Sequence, residues 1–378
     1  MSSDSAVQWS EDGAQHSARW RSEAGIPPPK RVQPVRDTLT AAAAVRMASE
    51  GTALVWRSDF HNARQLLQAM ARRADRKPRK AAASPADAFN LHRQAQGQRA
   101  RVLGSVLIEL EPDYGIALAR APDLRQACRE AWGLPDGQRS LASLRELLGL
   151  VGAHEWRRKG IEIAALGSPP GNRIHPHYGV FSPVRGEYLD LVAAAPLPSG
   201  ELAFDVGTGT GVVAAILARR GVQRIVATDV DPRALACARE NIERLGLHDR
   251  IELLRADLFP PGRAPLVVCN PPWLPARPSS PLEHAIYDED SRMLRGFLQG
   301  LAQHLAPGGE GWLVLSDLAE HLGLRPREEL MALIEAGALR VVARSDVKPR
   351  HPKAMDPSDP LHVARARETT SLWRLAAH

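Results

Sequence analysis

Residues Phe204-Asp205-Val206-Gly207-Thr208-Gly209-Thr210-Gly211 decide the reading of this chain. A short apolar run ends in an acid and then in glycines at every second position, and a helix-forming stretch, GVVAAILARRG, follows at once. Glycine takes left-handed backbone angles without steric cost and lets a ligand come close to the main chain. The stretch therefore predicts a strand, a tight loop and a helix.

Working outward, ELAFDV (201–206), RIVATDV (224–230), IELLRAD (251–257), LVVCN (266–270) and WLVLS (312–316) read as strands. PRALACARENIERLG and residues near 291–305 read as helices between them. Strands alternating with helices predict a parallel sheet covered on both faces. RVVARSDV (340–347) and TTSLWRLA (369–376) read as an antiparallel terminal pair. Residues 182–378 are thus expected to be an α/β, Rossmann-like, mostly parallel seven-stranded sheet with helices on both faces. The glycine loop would lie at its carboxyl edge, where open α/β sheets bind ligands.

The glycines alone do not name the ligand. Gly209-Thr210-Gly211-Val212-Val213-Ala214 satisfies the G-x-G-x-x-A form of a dinucleotide fingerprint, so a NAD-dependent oxidoreductase is one reading. Asp205 points elsewhere, because an acid at the end of the first strand can reach the cationic amino group of an amino-acid-bearing cofactor. Asp229 ends the second strand, where a carboxylate can accept both ribose hydroxyls, with Val230 beside it. Asp231 is expected to cap the helix that starts at Pro232. Asp257 ends the third strand, within reach of an adenine amino group, with Leu258 beside it. Three acids at three successive strand ends form one candidate site.

Asn270-Pro271-Pro272-Trp273 is the most specific feature. Proline cannot continue a central strand, so the strand stops at Asn270, and two prolines stiffen the turn beyond it. The Asn270 side-chain oxygen and the Pro271 carbonyl are two acceptors for the hydrogens of a planar nitrogen, and Trp273 offers a face for stacking.

Residues 175–330 resemble the class I S-adenosylmethionine-dependent methyltransferases, in the small-domain branch with the Asn-Pro-Pro-aromatic motif. DVGTGTGVVA, TDVDPRALACARENIERLGL, ADLF and VVCNPPW carry the likeness in order and spacing. HYGVFSPVRGEYLDLV is similar to the segment preceding the fold in ribosomal RNA guanine and protein-glutamine N5 methyltransferases. The resemblance implies S-adenosylmethionine as cofactor, held by Asp205, Gly207, Gly209, Asp229 and Asp257; Thr208, Gly211, Val230 and Leu258 beside them are further cofactor-binding candidates, and Phe181 and Arg185 are placed to lie over the cofactor. It implies that Asn270, Pro271, Pro272 and Trp273 hold the target nitrogen. The substrate would be RNA, ribosomal RNA above all, or else a glutamine of a translation protein. Glutamine-modifying relatives generally carry Tyr where this chain has Trp273.

The rest of the chain is less informative. Residues 1–37, rich in Ser, Pro and charge, are expected to be a mobile arm, residues 38–160 a mainly helical substrate-recognition domain, and 161–181 a β-hairpin linker. Within 38–160, helices are expected from near Thr38, over Phe60 to Arg73, and over 122–132 and 140–151, with a strand at 103–110 and a loop at 77–86. Residues 1–180 hold 26 Lys and Arg against 18 Asp and Glu, whereas 181–378 hold 23 against 25. The first half thus carries the basic excess, densest at Arg72, Arg73, Arg76, Lys77, Arg79 and Lys80, which suits phosphate contact. His175 and His177 are candidates for the substrate mouth, Glu187 for a pair with Arg185, and the loop 348–366 for an acidic partner. Three dispersed cysteines, Cys128, Cys237 and Cys269, argue against a disulfide framework and a zinc site. With no apolar run near the roughly 18 residues of a membrane span and no secretion or transit pattern, a cytoplasmic protein without a bound metal is expected. A non-catalytic RNA-binding module remains the other class of reading.

Overall fold

The computed structural model describes residues 6–75, 81–184, 186–278, 283, 285–350 and 356–378. The chain divides into two compact units, residues 1–81 with 90–155, and residues 82–89 with 156–378.

The first unit corrects two expectations. The described residues of the expected arm 1–37 are not an arm: they supply β1 (Ala6–Glu11), β2 (Ala14–Arg21) and β3 (Arg31–Val35), residues 1–5 lying outside the described residues. Then come α1 (Ala41–Ser49), β4 (Thr52–Trp56), α2 (Phe60–Asp75), α3 (Pro85–Leu103), β5 (Val106–Leu110), α4 (Arg125–Trp132), β6 (Ser140–Ser143) and α5 (Leu144–Lys159). The expected helices are present, but they accompany a six-stranded sheet of order β1-β2-β6-β5-β4-β3. Residues 140–143, expected to begin a helix, are a strand, and much of α3 was unforeseen. Strand β1 alternates as a half-buried strand should, with Val7 and Trp9 buried between exposed neighbours. Both pack with Ala18, Ala53, Val55, Leu107 and Leu141, an apolar cluster large enough to fix the segment. Pro34 sits on β3, at the sheet's edge, where a missing N–H costs no ladder bond. The basic run is only partly visible: Arg72 and Arg73 close α2, and residues 76–80 lie outside the described residues.

In the second unit the linker hairpin is short, β7 (Ile161–Glu162) pairing antiparallel with β8 (Arg173–Ile174). There follow α6 (Glu187–Ala194), β9 (Leu202–Val206), α7 (Val212–Arg219), β10 (Arg224–Asp229), α8 (Pro232–Arg244), β11 (Ile251–Arg255) and β12 (Ala264–Cys269). The chain ends with α9 (Arg292–His304), β13 (Leu305–Ser316), α10 (Leu318–His321), α11 (Arg327–Ala336), β14 (Leu339–Val347), α12 (His362–Arg367) and β15 (Thr370–Ala377). The seven strands expected from the alternation form one sheet, in the order β11-β10-β9-β12-β13-β15-β14. Strands β9 to β13 pair in parallel, and β15 runs antiparallel between β13 and β14.

Side chains on these strands alternate between two cores. On β12, Leu266 and Val268 join the cluster of α6, α7 and α8, while Val267 and Cys269 join that of α9 and α11. Helix α7 is buried along Val212–Ala218, hence its continuous apolar sequence. After β11 the chain crosses back to lay β12 against β9. That reversal is the topological switch point, where neighbouring loops leave in opposite directions and open a crevice.

Candidate active site

Register places the two motifs side by side. Val206, the last residue of β9, is opposite Cys269 at the end of β12 and opposite Thr228 on β10. The glycine loop and Asn270 therefore leave adjacent strand ends at the switch point.

The loop is built on positive φ. Gly207, Gly209 and Gly211 have φ of 73°, 56° and 80°, a region that side chains with a Cβ rarely take. At Gly211 an added Cβ would also lie 3.3 Å from Ala238 Cα, on α8. Gly209 faces open space. The amides of Gly207 and Thr208 both donate to the Thr228 carbonyl, at 2.9 and 2.8 Å. From α8, the buried Asn241 donates to the Thr210 carbonyl at 3.1 Å.

Asp205 is buried and ties the loop to its helix. Its Oδ2 accepts from the Thr208 hydroxyl at 2.7 Å and from the Ala214 amide at 3.0 Å. Burial pushes its carboxyl up to about 6, against those two bonds, and the neighbouring Asp229 adds to the rise. Asp229 accepts from the Gly209 amide through Oδ2 and from the Asp231 amide through Oδ1, both at 3.0 Å. Burial raises its carboxyl too. Val230 beside it is exposed. Asp231 caps α8 as expected, accepting from Arg233 N at 2.8 Å with Pro232 at the first position.

Asp257 is exposed and bonded to Arg292, which the sequence reading had not considered, with Nη2 to Oδ2 at 2.6 Å. Leu258 takes φ +75°, and its carbonyl accepts from the Thr228 hydroxyl. Phe181 is exposed ahead of α6, and Arg185 lies outside the described residues.

The nitrogen motif differs from expectation in one respect. Asn270 and Trp273 are half-buried and Pro271 is buried. The Trp273 indole Nε1 donates to Asn270 Oδ1 at 3.0 Å, so the oxygen expected to serve the target already accepts one bond. The indole packs against both cores of the sheet instead of standing clear as a platform. Tyr188, buried in the first turn of α6, meets Trp273 edge-on, with ring centroids 6.5 Å apart. Burial raises the Tyr188 phenol and it remains neutral. Sequence reasoning passed over Tyr188 because a tyrosine in a helix's first turn reads as core.

Two further residues were missed. Asp288 is buried and accepts from the amides of Met293 and Leu294, which fixes the start of α9. That start brings Met293 onto the glycine loop, where an added Cβ at Gly207 would run into Met293 Cε.

The other candidates make structural contacts. His175 Nδ1 donates to the Arg157 carbonyl on α5 at 2.7 Å and its backbone amide to Asn241 Oδ1 on α8 at 2.7 Å, while His177 Nε2 lies 3.0 Å from Glu240 on α8. Cys269 is buried with its thiol well above the usual range, which leaves it an inert core residue. Glu187 accepts from the Arg350 amide. The stretch 348–366 contains the start of α12, and residues 351–355 lie outside the described residues. No helix among the described residues is long and apolar enough to cross a membrane.

Residues 172–332 match the family described as the methyltransferase small domain. A release factor glutamine methyltransferase of Cereibacter sphaeroides is 35% identical over 164 residues, 42% of this chain and 55% of that protein. A tRNA1(Val) (adenine(37)-N6)-methyltransferase of Bacteroides fragilis is 30% identical over 164 residues, 39% of this chain and 69% of that protein. A ribosomal protein L11 methyltransferase of Pelotomaculum thermopropionicum is 34% identical over 161 residues, 42% of this chain and 44% of that protein. The chain thus spans about half the length of the first of these relatives. Among solved structures, a methyltransferase from Pyrococcus furiosus superposes with a TM-score of 0.39 at 18% identity over 61% of this chain and 99% of that one, a distant likeness. Matched across the glycine loop, the strand-end acids and the Asn-Pro-Pro-Trp turn, the chain belongs to the class I S-adenosylmethionine-dependent methyltransferases, in the methyltransferase small domain family.

Proposed function

We propose that the protein transfers the methyl group of S-adenosylmethionine to a planar exocyclic amino or amide nitrogen, and that this nitrogen belongs to an RNA base. The reading rests on the register that sets Cys269 opposite Val206, because it puts the glycine loop and the Asn-Pro-Pro-Trp turn at one switch point. Family membership sets aside the dinucleotide reading of the same glycines.

In this reading the glycine loop takes the cofactor's methionine part, Asp205 faces its ammonium, Asp229 the ribose hydroxyls, and Asp257 with Leu258 the adenine. The second lone pair of Asn270 Oδ1 and the Pro271 carbonyl accept the two N–H hydrogens of the target. The nitrogen lone pair would then face the cofactor's methyl; the N–C bond would form as the methyl–sulfur bond breaks, S-adenosylhomocysteine would leave, and one N–H proton would pass to solvent during or after transfer, so that no strong base is needed. Holding both reactants in line supplies much of the rate. The base would be unpaired or flipped to enter.

The basic excess of residues 1–180 favours RNA, and the cytoplasm is where such a substrate is met. The likeness to a release factor glutamine methyltransferase favours a second reading, a glutamine side chain on a translation protein. Lysate from a strain lacking the protein, incubated with purified enzyme and tritiated S-adenosylmethionine, separates the two. RNase-sensitive label supports the first reading and protease-sensitive label the second. Label in neither fraction refutes both.

A further inference from the structure

We propose that Trp273 is a positioning residue that fixes which way the Asn270 amide faces, with Tyr188 packed edge-on against the indole. The inference rests on the transfer reading above and adds to it the device that aims the acceptor. An asparagine amide can turn over and exchange its oxygen for its NH2 at little intrinsic cost, so its neighbours decide which end is presented.

At Asn270 that decision is unambiguous. The indole N–H is a donor with no acceptor capacity, and it lies 3.0 Å from Oδ1. Turned over, the amide would set NH2 against N–H, two donors without an acceptor between them. Tyr188 is buried beside the indole and meets it edge-on. A phenol can both donate and accept, so Tyr188 alone would tolerate either face. Neither ring is free to wander. Tyr188 is 3% exposed on α6, and Trp273 meets it with planes at 90° while packing on both cores. With one lone pair of Oδ1 used by the indole, the other keeps a fixed direction at the strand end.

The variants should fall in a definite order. Trp273→Phe keeps an aromatic ring but removes the donor, whereas Tyr188→Phe leaves the face chosen. Asn270→Asp makes both oxygens acceptors, so there is no longer a face to choose.

The test titrates whichever fraction of the deletion-strain lysate takes up tritium against wild-type enzyme and these variants, with S-adenosylhomocysteine calorimetry in parallel. Trp273→Phe should lower kcat about tenfold, the worth of one well-placed hydrogen bond, with apparent KM and S-adenosylhomocysteine affinity within about twofold of wild type. Tyr188→Phe should cost less than about threefold. Adding Trp273→Phe to Asn270→Asp should change that variant's own lowered kcat by less than about twofold. Wild-type kcat in Trp273→Phe overturns the proposal. So does a parallel loss of S-adenosylhomocysteine affinity, which would mark mere structural support. A tenfold cost persisting beside Asp, or an Asn270→Asp enzyme with no transfer, also overturns it. If wild-type enzyme labels neither fraction, the transfer reading itself falls; label from wild type with variants out of order removes only the positioning inference.

Discussion

Lowering the pH should dissociate the cofactor before it unfolds the protein, through Asp205. This carboxyl is buried at the end of β9, and its surroundings raise it to about 6. If the charged form is what meets the cofactor's ammonium, affinity follows the ionised fraction. That fraction falls from about nine-tenths at pH 7 to about one-tenth at pH 5, so the apparent dissociation constant should rise about tenfold over that span. The raised Asp229 carboxyl acts in the same direction.

Stability runs the other way. The folded value lies above the ordinary carboxyl value of 3.8, so the folded state binds the proton more tightly. Asp205 therefore favours folding below about pH 4, and that contribution is lost as pH rises through about 6. Asp205→Asn should consequently bind S-adenosylhomocysteine at least about tenfold more weakly at neutral pH while melting higher, by up to about 3 kcal/mol of stability. Calorimetric titration from pH 5 to 7, with thermal melts of both proteins, measures both effects. Affinity flat across that range, with Asp205→Asn binding like wild type, would refute the assignment.

Asn270→Ala should leave S-adenosylhomocysteine affinity unchanged and lower methyl transfer by roughly 10²-fold or more in the tritium assay, since only the transition state needs an aimed nitrogen. Gly211→Ala meets a positive φ and Ala238 at once, and should cost roughly 1–3 kcal/mol, read as a lower melting temperature with weaker cofactor binding. Deletion of residues 1–37 removes β1, β2 and β3 with Val7, Trp9 and Ala18, and should yield loss of cooperative melting in the first unit. A mobile arm would leave the melt unchanged.

The second unit was legible because its central strands are buried on both faces and so read as apolar runs, with glycines and prolines marking where they stop. Pro271 and Pro272 located the end of β12 to within a residue. The N-terminal sheet escaped notice for the opposite reason. Strand β2 buries only Ala18 and is mostly polar, and β3 buries only Val35 and carries Pro34 inside it, so neither reads as an apolar strand. Only β1 carried a readable alternation, and its Ser and Glu obscured it. Helix α3 lacks a clear apolar stripe, which hid it in a stretch read partly as loop. At the site, residue types predicted which groups would gather but not their bonds to one another. The indole of Trp273 was read as a stacking face, and its N–H went unconsidered. Tyr188, Asp288 and Met293 reach the site through packing of α6 and α9, which spacing along the chain does not encode.

The most direct test of the account is the position of the transferred methyl. Tritiated product, digested to nucleosides and to amino acids and resolved by chromatography, should carry its label on an exocyclic base nitrogen, or on a side-chain amide nitrogen under the second reading. Label on carbon, oxygen or sulfur would contradict the account, because the Asn270 turn would then be holding something other than a planar N–H donor.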